Sequence, residues 1–319
     1  MSVCCGEGPL TLISCHFEAI FEALKYYLGD VMRVAIMTDT NSGISVEEAE
    51  QMGIFCMPMP VIIDEENFIE DVNLSQEEFF NILSQGRDVS TSQPSTGDVM
   101  DMWDKIFENG YDSIVYIPMS SGLSSSAKCA TVYAQEYDGR VLVVDNHRIS
   151  VTQRQAVIDA KHLADESKSA EEIKNYMESD SYESVIYLAV DTLEYLKKTG
   201  RVNSTAATVG NVLGIKPILK TTGGKFDLCT AVRGSKKVVP KIIEELNHEM
   251  ETRFANVDKS DLIIGTAGSF LNQEDANQWE NAVKEAFPDV EVFYDALSCS
   301  VSTHTGPNAL GVGISMRIK

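Results

Sequence analysis

The sequence predicts an α/β protein in two parts: a parallel-sheet N-terminal domain, then an α+β second domain with a mixed or antiparallel sheet. Three observations carry this. Short apolar runs alternate with helical patterns through the first half, as in a doubly wound parallel sheet. In the second half a hairpin signal appears, with Gly223-Gly224 between the runs Ile215 to Thr221 and Phe226 to Val232. At 319 residues the chain is long for one core and suits two domains. The expected division is 1–31 as a leader helix or mis-assigned start, 32–179 as the first domain and 180–319 as the second. No Pro-rich linker or repeat marks the boundary.

The leader has Ile13, Phe17, Ile20, Phe21, Leu24 and Leu28 at helical spacing. It lacks the basic start and small-residue cleavage site of a signal peptide. Met32 stands just before the first strand, Arg33 to Met37, which ends in Thr38-Asp39-Thr40. Either Met32 is the true start or the leader is an appended helix. Ser45 with Glu48, Ser75 with Glu78 and Ser169 with Glu172 have the spacing of capping boxes, each opening a helix. Ile54 to Ile63 reads as an edge or bulged strand, because Pro58 and Pro60 interrupt it. The polar loop Thr91 to Thr96 precedes a helix that runs to about Asn109. The strand YDSIVYI follows, then the loop PMSSGLSSSA (118–127), then another helical pattern. RVLVVD (140–145) is a further buried strand, and 151–167 and 170–179 read as helices.

Beyond residue 180, strands are expected at 184–190, 215–221, 226–232, 261–266 and 290–294. Helices are expected at 192–199, 235–254 and 274–287, the first stopped by Gly200. The chain closes with THTGPNALGVGISMRI, read as a Gly-rich turn into a last strand.

Composition excludes several classes. There are 26 Lys+Arg against 48 Asp+Glu, a formal charge of -22, which disfavours nucleic acid and anionic lipid surfaces. Seven cysteines without a C-x-x-C pair indicate neither a zinc ribbon nor a disulfide framework, and reduced cytoplasmic thiols are the simplest account. No apolar run reaches membrane-spanning length, so stable insertion is not expected. No H-x-x-H, H-E-x-x-H, P-loop or early G-x-G-x-x-G occurs, so no metal or nucleotide cofactor is expected.

The loop 118–127 holds five serines and one glycine at the carboxyl end of a parallel strand, where open α/β sheets place ligands. Its hydroxyls, backbone N–H groups and helix N-terminus suit an anion, although serine is also an ordinary helix cap. The loops at Thr38, Thr91 and Ser120 are all hydroxyl-rich and can converge at one sheet edge. His304 is either a pocket residue or a hydrogen-bonded turn histidine. Arg201, with Lys197 and Lys198, is either a pocket residue or a complement to a helix C-terminus. Gly122 to Ser126 approaches G-x-S-x-G but ends in serine. A triad of Ser121 or Ser124 with His304 and Asp145 is therefore a weaker alternative, making a serine esterase or thioesterase.

Taken together, RVAIMTDT, VSTSQPST, PMSSGLSSSA, LVVDNHRIS, LEYLKKTGRVNS and THTGPNALGVG stand in an order and spacing that resemble the DegV family. These are bacterial fatty-acid-binding proteins, some of which act as the acyl carrier of fatty acid kinase. The resemblance runs from about Met32 to the C-terminus. It departs at Gly122 and the following LSSSAK, where members often carry a lysine-type residue and then L-S-G-T-Y. It departs again at Asn308, where a G-P-G turn is common.

The resemblance implies a long-chain fatty acid buried between the two domains, bound by a non-enzymatic carrier with no other cofactor. It implies that Thr91, Ser121 and His304 hold the carboxylate, with Thr40, Ser92 and Ser124 behind them. Arg201 would lie near the pocket mouth, facing a dihydroxyacetone-kinase-like fatty acid kinase that supplies ATP and metal.

Overall fold

The structure, a computed structural model, describes residues 32–204 and 214–318. The expected leader helix at 1–31 lies outside the described residues. Four strands form the first sheet, all parallel, in the order β2-β1-β6-β7: β1 (Val34–Asp39), β2 (Phe55–Met57), β6 (Ser113–Ile117) and β7 (Val141–Val143). β6 is buried at every position. Such a strand reads as a continuous apolar run because helices cover both faces. On one face lie Ala156, Val157 and Ala160 of α5 (Ser150–Asp165) with Ile173 and Met177 of α6 (Ala170–Ser179). On the other lie Val99, Trp103 and Ile106 of α3 (Thr96–Glu108).

The run from Ile54 to Ile63 is two strands rather than one bulged strand. It leaves the parallel sheet after β2 and enters a second sheet as β3 (Pro60–Ile63). Pro58 and Pro60 lack the N–H that a ladder requires, so the chain changes sheets there. β3 pairs antiparallel with β4 (Glu66–Ile69) and β5 (Val89–Thr91). Asp64 and Glu65, both at positive φ, make the two-residue turn between β3 and β4. α1 (Val46–Met52) and α2 (Gln76–Ser84) start at Ser45 and Ser75. Ser75 and Glu78 cap each other reciprocally, whereas Ser45 caps through its own side chain alone.

The second half builds a six-stranded sheet in the order β10-β9-β8-β13-β11-β12. Its strands are β8 (Ser184–Ala189), β9 (Ile215–Thr221), β10 (Asp227–Arg233), β11 (Leu262–Gly268), β12 (Glu291–Ala296) and β13 (Leu310–Met316). All pairings are antiparallel except β11 with β12, so the sheet is mixed, as the hairpin signals imply. α8 (Val238–Glu251) and α9 (Gln273–Ala286) cover one face through Ile242, Leu246, Trp279 and Val283. The other face turns Ile186, Leu188 and Ala267 toward Met119, Leu123, Ile149 and Val151 of the first half.

Polar ties join the two halves at their edges. Arg154 of α5 reaches Glu48 of α1 at 2.9 Å and Asp295 of β12 at 3.4 Å. Gln76 donates to the Leu297 carbonyl at 2.9 Å.

One α-helix was not expected. Residues read as a Gly-rich turn form a short helix, α10 (Cys299–Thr305), between β12 and β13. Its sequence, CSVSTHT, is rich in residues of poor helix propensity, so no local pattern announces it. Ser298 caps it by accepting from Val301 N at 3.1 Å, and almost every residue in it is buried. Tertiary packing decides its conformation.

Candidate functional site

The site begins at the carboxyl ends of β1 and β6. Asp39, fully buried, accepts from Met119 N at 3.1 Å, from Asn41 N at 3.1 Å and from Gln153 Nε2 at 3.2 Å. Burial pushes its carboxyl up, against the pull of these donors. Asp39 thereby fastens the start of the loop that follows β6.

The rest of that loop is fastened by Ser120. Its Oγ donates to the Gly223 carbonyl in the β9–β10 turn and accepts from Gly122 N at 3.1 Å. Gly122 is needed at this approach, since a Cβ there would lie 2.5 Å from the Gly223 oxygen. With Ser120 spent on the scaffold, Ser121, Ser124 and Ser125 line a hydroxyl-rich pocket together with Thr91 and Ser92. Ser121 N donates to Asp145 Oδ1 at 3.1 Å, and Ser124 Oγ lies 2.9 Å from Ser126 Oγ. α4 (Ser126–Tyr133) follows, and its cap residue Ser125 makes no side-chain capping bond.

The opposite wall comes from the far end of the chain. Thr91, at the end of β5, places Oγ1 3.0 Å from Nε2 of His304 in the last turn of α10. His304 is thus a helix residue rather than a loop one. Its Nδ1 is buried without a partner. Burial, and secondarily the charge of Arg201, lower its pKa to about 4, so the imidazole is neutral near pH 7. Two tautomers satisfy the Thr91 contact. In one, Thr91 donates and Nδ1–H is left over; in the other, Nε2–H donates and the Thr91 hydroxyl hydrogen is left over. The second leaves the Thr91 hydroxyl hydrogen free for an anion, whereas the first leaves its spare donor on the buried Nδ1.

Arg201 follows α7 (Glu194–Thr199) and its cap Gly200, which is left-handed at φ 72°. Its Nε donates to the Leu123 carbonyl at 3.1 Å, and Nη1 donates to the Thr199 carbonyl. Burial lowers its pKa, and among the described residues no carboxylate forms an ion pair with it. Among the described residues, carbonyls hold this cation.

Behind the hydroxyl-rich pocket lies a cavity with an almost wholly apolar lining, including Leu123, Ile186, Leu188, Leu196, Phe226 and Val301. Met119, Leu123, Arg201 and His304 line both spaces. The site is therefore two adjoining spaces, one apolar and one hydroxyl-rich, with a neutral imidazole and a cation between them.

Of the residues picked from the sequence, Thr91, Ser92, Ser121, Ser124, Arg201 and His304 come together in the hydroxyl-rich pocket. Thr40 does not. Its buried hydroxyl donates to Glu70 Oε2 at 2.8 Å and accepts from Met59 N at 3.2 Å. Sequence reasoning missed Glu70 itself, which is buried beside α10 and accepts from Cys299 N at 2.5 Å. Burial pushes its carboxyl up to about 7. Nothing local distinguishes it from its acidic neighbours. Among the described residues no cluster of His, Cys, Asp and Glu is arranged to hold a metal ion. Nor is any helix among them long and apolar enough to cross a membrane.

The model of the family described as "Uncharacterised protein, DegV family" matches residues 33–317. The chain belongs to the DegV family. A DegV domain-containing protein of Listeria innocua is 29% identical over 287 residues, covering 89% of this chain and 99% of the relative. A DegV family protein from Thermus thermophilus, whose structure is reported for its fatty acid binding, superposes with a TM-score of 0.79 at 25% identity. That match covers 89% of this chain and the whole of the other. DegV of Bacillus subtilis, described as a fatty acid binding protein, gives a TM-score of 0.78 at 24% identity over 90% of this chain and all of its own. The DegV fold is thus shared along almost the whole described chain, and DegV proteins of this fold bind fatty acids.

Proposed function

We propose that the chain binds a long-chain fatty acid, tail in the apolar cavity and carboxylate at Thr91, Ser121 and His304. One observation carries this reading: an apolar cavity adjoins a hydroxyl-rich pocket, with Arg201 and His304 lining both. The fatty acid binding reported of the Thermus thermophilus relative supports it.

The energetics divide the roles. Each buried CH₂ contributes about 0.8 kcal/mol, so a long tail supplies roughly 10 kcal/mol before ordering costs. Hydrogen bonds to the charged head, about 1.5–3 kcal/mol each, mainly offset its desolvation and fix its orientation. Hydroxyl and imidazole N–H groups can donate to either a carboxylate or an acyl phosphate. We therefore read the chain as a cytoplasmic carrier that presents the carboxylate to a dihydroxyacetone-kinase-like kinase for acyl-phosphate formation. ATP and metal belong to that partner.

The esterase alternative fares poorly on geometry. Asp145 accepts from Ser121 N and lies 3.6 Å from His147, while His304 has its Nε2 on Thr91 and no partner at Nδ1. A serine–histidine–carboxylate chain is not assembled. Native mass spectrometry of the purified protein, followed by lipid extraction, tests the carrier reading. One fatty acid per chain is expected. An empty protein that also refuses added fatty acids overturns it, and labelling of Ser121 or Ser124 by a fluorophosphonate would favour the esterase.

A further inference from the structure

Part of the floor of the apolar cavity is a stretch of sheet built from small residues. β11 and β13 pair there with Gly265 opposite Gly313 and Ala267 opposite Gly311. Leu188 and Ile186 of β8 continue the same two rows, opposite Gly311 and Gly313. The rows differ in what lies above them.

Over the row of Gly265 and Gly313 the space is taken. A Cβ at Gly265 would lie 2.4 Å from Val151 Cβ and 2.7 Å from the end of the Phe293 ring. A Cβ at Gly313 would lie 2.5 Å from Thr152 Cγ2 and 3.1 Å from Val151 Cγ2. Over the next row the space is open. A Cβ at Gly311 would meet only Ala267 at 3.5 Å and Leu188 at 4.0 Å, ordinary contacts. Gly311, Ala267 and Val151 all line the cavity, whereas Gly265, Gly313 and Phe293 do not. The cavity therefore lies over Gly311 and touches the next row only at Ile186, while Val151, itself a cavity wall, covers Gly265 and Gly313.

We propose that Gly311 and Val151 together set the length of the acyl chain this protein accepts, Gly311 as the bare floor of the tail channel and Val151 as its end wall. This rests on the fatty-acid reading above and adds a selectivity to it. Gly311 has an extended backbone free of positive φ, so a side chain there is not strained and projects into the channel. It occupies space that the tail otherwise fills. Trimming Val151 to alanine removes Cγ1 and Cγ2 and lengthens the end of the cavity, while Val151 Cβ, Thr152 and Phe293 still cover Gly265 and Gly313. The two changes act in opposite directions, which a general loosening of the fold cannot mimic.

The test loads delipidated full-length protein with an equimolar mixture of straight-chain saturated acids from decanoic to eicosanoic. Native mass spectrometry then reads the bound distribution. Gly311→Leu is expected to shift it toward shorter chains by roughly the length of one leucine side chain. Gly311→Ala is expected to shift it the same way by less, and Val151→Ala toward longer chains. Circular dichroism melts establish that each variant is folded. If Gly311→Leu does not fold, Gly311→Ala and Val151→Ala decide between them. Folded variants that keep the wild-type distribution overturn the proposal while leaving fatty acid binding intact. A wild-type protein that takes up none of the acids instead overturns the reading on which the proposal rests.

Discussion

Glu70 and Cys299, 229 positions apart, are joined by a 2.5 Å hydrogen bond from the Cys299 N–H to Glu70 Oε1. The same carboxylate holds Thr40 through its other oxygen. Glu70 therefore fixes the start of the helix that carries His304 against the end of β1. Its pKa is raised from 4.5 to about 7, so ionising it in the folded state is costly. The folded protein binds this proton more tightly than the unfolded chain does, and Glu70 costs stability as pH rises from about 4.5 through 7. Glu70→Gln is expected to gain on the wild type across that window, by at most about 3 kcal/mol, in denaturant melts at stepped pH. A constant difference between the two proteins at every pH would refute the assignment.

His304 works with the opposite sign. Its folded pKa of about 4 lies below the usual 6.5, so the unfolded chain takes up the proton first. It costs stability as pH falls through 6.5 toward 4. Direct titration of the imidazole by NMR is expected to give a value below 5 in the ligand-free protein. A bound carboxylate opposes the charge of Arg201, so added fatty acid should raise that value.

Thr91→Val keeps the shape of Thr91 and removes its hydroxyl. It is expected to weaken fatty acid binding by about 1.5–3 kcal/mol, a loss on the order of ten- to a hundredfold, by titration calorimetry. Ser92→Ala, on the same pocket wall but outside the assigned carboxylate set, should change affinity far less.

Arg201 separates two roles for the cation between the two spaces. With Arg201→Ala, acyl-phosphate formation by the kinase is expected to fail while fatty acid binding survives. If binding collapses as well, Arg201 is a head-group ligand and its assignment to the partner is wrong. Its lack of a carboxylate partner among the described residues makes the comparison informative, because no ion pair is broken by the change.

Gly122→Ala tests how the serine loop is docked. A Cβ there meets the Gly223 carbonyl at 2.5 Å and Gly224 Cα at 2.8 Å, so the loop must withdraw from the turn. Weaker fatty acid binding with a modest loss of thermal stability is expected.

Much of this site was legible in the sequence because it is written in short polar loops. Thr91, Ser121 and Ser124 stand out as hydroxyls clustered beside apolar runs, and they do share one pocket. Two features were not legible, for different reasons. The helix carrying His304 has poor propensity and exists through burial, which no local pattern encodes. Glu70 is one of 48 acidic residues, and only the fold shows that it is buried. Thr40 was picked for its hydroxyl and its place after β1. It is expected behind the carboxylate set, and its hydroxyl binds Glu70 and the Met59 N–H rather than lining the pocket. The sheet change at Pro58 was half legible: the prolines announced an interruption, not a new partner for the strand.

The Thr91–His304 contact closes a loop of 213 positions, so the head-group wall exists only after both ends of the chain have docked. A nascent or partly opened chain has nothing with which to grip the carboxylate. On the fatty-acid reading proposed above, the ligand selects the finished molecule, adding about 2.7 kcal/mol when free ligand stands at a hundred times its Kd. Protease attack through the open form slows by the same factor. The cell's lipid supply would then govern how long each copy survives, and a carrier left unloaded would be cleared sooner than one in use.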